Sequence, residues 1–74
     1  MPVQIVMDRH GDNRHVFEPA DVRSLANAEA RFKKLVGKGY LAVAPGERGK
    51  PGRLLRNFDE SVDETIFVPP LKGG

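Results

Sequence analysis

PADVRSLANAEARFKKLVGKG, residues Pro19–Gly39, is the segment of this chain that carries a helical period. Val22, Leu25, Ala28, Phe32 and Leu35 or Val36 recur at spacings of three and four, which places them on one face of a helix. Arg23, Asn27, Arg31 and Lys34 lie largely off that face, and Glu29 and Lys33 stand at i,i+4 as a favourable pair. Pro19 suits a first helical turn, where its missing N–H costs nothing. Asp21 or Ser24 can supply the N-cap. Gly37 and Gly39 stop the helix, with Lys33, Lys34 and Lys38 complementing its negative end.

One amphipathic helix must bury its stripe against something, and the flanking sequence supplies short strands. Upstream, Val3, Ile5 and Met7 alternate with Gln4, Val6 and Asp8, a period of two. RHGDN, from Arg9 to Asn13, has turn chemistry, and His15 to Phe17 resumes an extended run, so a hairpin is expected. Downstream, Tyr40–Ala44 reads as a strand, PGERGKPG (Pro45–Gly52) as a loop, and Arg53–Phe58 as a further short strand. DESVD is a turn or a single helical turn. Thr65–Val68, β-branched and aromatic, is the last strand.

The order ββαβ(β)β predicts an α+β domain: a mixed sheet of four to five strands with one helix packed across it. A helix that returns the chain parallel to the first strand, with hairpin partners outside, gives a β-grasp. TIFVPP is apolar on both faces, as a central strand requires. A single domain over 1–70 is expected, followed by a flexible tail, 71–74.

The composition narrows function mainly by exclusion. With 74 residues there is one core and no room for a deep catalytic cleft. There are no cysteines, which excludes disulfides, thiolate metal sites and a cysteine nucleophile. MPVQIVMDRHG lacks the layout of a secretory signal, and no apolar run approaches the ~20 residues of a membrane span, so a cytoplasmic protein is expected. Twelve Lys and Arg against ten Asp and Glu leave a net charge of +2. Arg48, Lys50, Arg53 and Arg56 cluster, as do Asp59, Glu60, Asp63 and Glu64. Without interleaved aromatics this is charge segregation rather than a nucleic-acid footprint. His10 and His15, with Asp8 and Asp12 near, read as solvated hairpin residues rather than metal ligands, and Ser24 and Ser61 lack the histidine–acid context of a nucleophile.

The most informative stretch chemically is DETIFVPPLKGG, Asp63–Gly74. Pro69 and Pro70 cannot donate to a ladder, so they end the strand and project the chain in polyproline II geometry. Leu71 is apolar where the fold no longer needs it, and Lys72 keeps the exit solvated. Gly73 and Gly74 can thread a channel too narrow for a Cβ. A terminal carboxylate there is ionised near neutral pH.

This stretch resembles the C-terminus of the small subunit of molybdopterin synthase, where an acidic-hydrophobic last strand runs into Pro-Pro, an apolar residue, a small residue and Gly-Gly. The thiamin-pathway sulfur carrier shares the Gly-Gly end, and Leu71-Lys72-Gly73-Gly74 is similar to the Leu-Arg-Gly-Gly end of ubiquitin. The resemblance in residues covers the last dozen positions, and over the rest of the chain it is one of element order. It implies a ubiquitin-like carrier that is not itself an enzyme. Gly74 would bear an adenylate, thiocarboxylate or thioester, and Gly73 would share the channel. Phe67, Pro69, Pro70, Leu71 and Lys72 would contact the activating partner. ATP would be used by that partner, no cofactor or metal would be bound, and a downstream protein would be the acceptor. The carrier would be a monomer, with neither nucleic acid nor membrane as partner. Lys72 departs from the small residue of molybdopterin carriers toward the basic residue of conjugating systems, so sulfur transfer and conjugation both stay open. Phe67, opposite in face to Ile66 and Val68, either packs the second side of the sheet or forms a docking patch. The rival readings are an interaction module whose end is never activated, and nucleic-acid binding through Arg48, Lys50, Arg53 and Arg56.

Overall fold

The computed structural model describes residues 1–46, 48 and 50–71. Its elements are β1 (Val3–Asp8), β2 (Gly11–Val16), α1 (Val22–Gly37), β3 (Leu41–Ala44), β4 (Arg53–Leu55) and β5 (Glu64–Val68). The strands form one mixed sheet in the order β2-β1-β5-β3-β4, with α1 packed on one side. β1 and β5 pair in parallel, and every other neighbouring pair is antiparallel. The last strand is therefore central, as its apolar faces suggest. Among the described residues no helix is long and apolar enough to cross a membrane.

The first hairpin is tighter than its turn-rich sequence implies. β2 already begins at Gly11, which pairs with Asp8, so only Arg9 and His10 lie between the strands. Asp8 makes this feasible: its Oδ1 accepts from the His10 N–H at 2.7 Å, and Gly11 carries the positive φ of +125°.

Asp21, rather than Ser24, is the N-cap. Its carboxylate accepts from Arg23 N at 2.9 Å and Ser24 N at 3.1 Å, while Ser24 Oγ accepts from Glu18 N at 2.9 Å. At the other end the helix runs through Gly37, and Gly39 does the stopping. Gly39 has a φ of +96°, its N–H reaches Val36 O, and Tyr40 N–H reaches Leu35 O, both at 3.0 Å. These are the paired bonds of a Schellman cap, which needs a left-handed residue at that position. Leu35 and Tyr40, joined by it, both pack on the core.

The buried stripe of α1 is centred on Ala28 and Phe32, with Leu25 and Leu35 half-buried. Val22 is a correction to the periodic reading: at the first helical position it is 84% exposed, beyond the edge of the sheet contact. All four phenylalanines join one chain of ring contacts: Phe17–Phe58 at 5.8 Å, Phe58–Phe32 at 6.0 Å and Phe32–Phe67 at 5.7 Å.

Gln4 is 1% exposed and faces the helix. Its Nε2 donates to Ala28 O at 3.0 Å and its Oε1 accepts from Arg31 Nη1 at 2.8 Å. The helix-covered face of β1 is thus Gln4 and Val6, and the Val3, Ile5 and Met7 series lies on the other side of the sheet.

Candidate functional site

The site suggested by the sequence is the exit of β5, and the structure builds its root from three elements. β5 is held on both flanks. Val6 and Phe67 are partners across the β1 ladder, Ala42 and Phe67 across the β3 ladder, and Leu41 faces Val68 at the last rung. Phe67 is 0% exposed, with its ring against Phe32. This settles the two readings of Phe67 in favour of the core: a side chain without accessible surface cannot touch a partner in the folded protein. Its contribution is to anchor the strand from which the tail departs.

Beyond Val68 the ladder ends, because the prolines have no N–H to continue it. Pro69 is half-buried and Pro70 exposed. Pro70 lies near the helix cap: a Cβ built on Gly39 would lie 3.4 Å from Pro70 Cβ. The same glycine that ends α1 therefore lies beside the tail root, with room for no more than a Cβ between it and Pro70. Leu71 follows at 98% exposure. Lys72, Gly73 and Gly74, the other residues assigned to partner contact and activation, lie outside the described residues.

Alongside this root runs an open trough of about 750 Å³. The β1–β2 turn supplies one wall with Asp8 and Arg9, and the α1–β3 turn supplies the other with Lys38 and Tyr40. Its floor is the chain from Val68 to Leu71. Arg9, Lys38 and Tyr40 were not singled out as site residues from the sequence. They lie in two separate turns, and only the β1–β5 and β3–β5 pairings bring those turns to either side of one strand end.

The other candidate groups are spent locally. Ser61 Oγ donates to Asp59 Oδ1 at 2.6 Å and Ser61 N–H donates to the same atom at 2.9 Å. These bonds hold the Asp59 carboxyl below its ordinary pKa, with Arg53 at 3.9 Å adding a smaller effect. Ser24 serves the helix cap. Arg53 is drawn toward Asp59, so the basic and acidic clusters meet at that point, and Arg48, Lys50 and Arg56 are exposed. No group of three or more residues that could hold a metal forms among the described residues. His15 pairs with Gln4 across the hairpin, and its pKa is lowered first by burial and then by the Arg31 charge.

The arrangement offers no assembled acid–base or nucleophilic machinery among these groups. It offers a strand end fixed in direction, an exposed apolar residue just beyond it, and a trough beside it. Comparisons with protein-family models, with curated proteins and with solved structures return no match for this chain.

Proposed function

We propose that this protein is a ubiquitin-like β-grasp carrier whose diglycine end is activated by a partner enzyme. The observation that carries the reading is the contrast across four residues of the exit: Phe67 is wholly buried in the central strand, and Leu71 is almost wholly exposed. A stiff, anchored stalk that presents an apolar residue ahead of two glycines suits insertion into another protein's channel. The strand order, with β5 parallel to β1 at the centre of the sheet, supports the β-grasp assignment.

With Gly74 as the terminus of the mature chain, its carboxylate attacks the α-phosphate of ATP held by the partner. Pyrophosphate leaves and an acyl-adenylate remains. A partner thiol displaces AMP to give a thioester for conjugation; alternatively a partner persulfide displaces AMP to give an acyl disulfide, and a second partner thiol cleaves its sulfur–sulfur bond, leaving a thiocarboxylate on Gly74 for sulfur transfer and a disulfide on the partner. The carrier works in the cytoplasm, binds no cofactor itself and acts as a monomer with its activating enzyme and an acceptor protein.

Incubation with ATP and a cognate adenylating enzyme, followed by intact mass measurement, tests this. The expected result is an adenylate, thiocarboxylate or partner thioester on Gly74. Deletion of Gly73 and Gly74 abolishes it without moving the thermal midpoint. An unmodified mass with every adenylating enzyme of the source cell overturns the reading. The open side of the sheet, apolar from Met7 across to Leu54, favours a second reading: an interaction module that binds through that face and never uses its end. A C-terminal extension that leaves function intact selects it.

A further inference from the structure

The trough beside the tail root has a chemistry of its own. Its floor is apolar, from Val68 through Leu71, and Tyr40 adds a ring on one wall. Three charged residues line it: Asp8, Arg9 and Lys38. They are not equivalent. One oxygen of the Asp8 carboxylate holds the hairpin turn through its 2.7 Å bond from His10 N–H. Lys38 is at the C-cap of α1, but the helix's last carbonyls are already met by the N–H groups of Lys38, Gly39 and Tyr40, so its ammonium is not needed there. Among the described residues, neither Arg9 nor Lys38 forms an ion pair. The trough therefore carries two cations outside any ion pair against one carboxylate, a net charge of +1, beside an apolar floor.

We infer that this trough seats an acid-flanked apolar peptide segment of the activating partner. The apolar side chain covers Val68, Leu71 and the Tyr40 ring, and the flanking carboxylates face Arg9 and Lys38. The shape is open rather than enclosed, which suits a chain segment better than a small molecule. The cations select sign: a basic segment is repelled, and like charges brought together at an interface oppose the wrong partner. The identity of the occupant rests on the carrier reading, since any enzyme that threads the tail must pass along its root. The preference for acid plus apolar character rests on the trough itself.

The test uses the full-length protein, labelled with nitrogen-15, and three synthetic probes. They are acetyl-Asp-Asp-Leu-Phe-Asp-amide, the same peptide with every Asp replaced by Lys, and an oligodeoxythymidylate as a polyanion without the apolar side chains. Saturable amide shifts at Arg9, Lys38, Tyr40, Val68 and Leu71 are expected with the acidic peptide alone. Affinity should fall roughly tenfold or more in the Arg9→Glu/Lys38→Glu variant, whose fold is checked by its thermal midpoint. Absence of saturable shifts, shifts confined to the open sheet face, equal binding of the lysine peptide, or tighter binding of the oligonucleotide in the trough would each overturn the inference. The charge-swapped peptide reads the wild-type protein, so the result does not depend on the variant folding. Neither ATP nor Gly74 enters the titration. Its failure leaves the adenylation assay standing, and failure of adenylation leaves the titration standing.

Discussion

The two faces of the sheet are made of different residues, and the more aliphatic one is not the core. Under α1 lie Gln4, Val6, Thr65, Phe67, Ala42, Ala44 and Leu55. On the opposite side lie Ile5, Met7, Ile66, Val68, Leu41, Val43, Leu54 and Val16, several of them exposed. The covered face includes a buried amide and a buried hydroxyl residue, yet it is the better packed. Burial largely follows what the helix covers, with Ile5 on the other side an exception at 6% exposure. Small Ala42 and Ala44 admit the helix closely, Phe67 and Phe32 fill the space that remains, and Gln4 is satisfied at both ends of its amide.

This contrast is best broken at neighbouring residues of β5. Phe67→Ala, on the covered side, should cost about 3–5 kcal/mol, a large part of what a domain this small possesses. Ile66→Ala, one residue earlier and on the other face, should cost about 1 kcal/mol. Urea denaturation of both variants checks this, and equal costs would mean that the open face is packed as tightly as the covered one.

The polar clamp gives a smaller, more specific effect. Arg31→Met leaves the buried Gln4 Oε1 without its donor and should cost about 1–3 kcal/mol. Gln4→Met combined with Arg31→Met removes both partners and should recover much of that loss, because two apolar groups leave nothing unsatisfied. A double-mutant cycle in which the two costs simply add would show that the clamp is two independent contacts.

His15, beside that clamp, gives it a pH dependence. Burial and then Arg31 lower its folded pKa below the ordinary value of 6.5, so the folded state resists protonation. The unfolded chain binds the proton first, and stability falls as pH drops below about 6.5 toward the lower folded value. Thermal midpoints between pH 7.5 and 5 should decline less steeply in His15→Gln than in the wild type, and parallel profiles would remove His15 from the account. Last, Leu54→Ser on the open face should change stability by no more than about 0.5 kcal/mol. A larger loss would show that this face is covered in solution.

The chain's local features were readable because each depends on near neighbours. The 3.6 period marks Ala28 and Phe32, and the Glu29–Lys33 pair closes at 3.7 Å, whereas the choice of Asp21 over Ser24 as N-cap needed the structure. The apolar character of β5 on both faces pointed to a central strand, and β5 does pair on both edges, with β1 and β3, although only its Thr65 and Phe67 face is buried.

What the sequence could not settle involves pairs distant along the chain. A period of two assigns Val3, Ile5 and Met7 to one face and Gln4 and Val6 to the other, but it says nothing of which face the helix covers. Hydrophobicity alone points to the wrong one. The burial of Phe67, the Arg31–Gln4 bond across 27 residues, the nearness of Pro70 to Gly39 and the meeting of Arg9 with Lys38 in one trough all follow from tertiary pairing. The sequence by itself determined where the helix lies and the order of the strands, though not the bounds of β2 and β4, because hydrogen bonds within a turn and side-chain periodicity are local. Only the tertiary structure decided which side chains are anchors and which are surface, because covering one face of a sheet requires contacts between segments that no local pattern encodes.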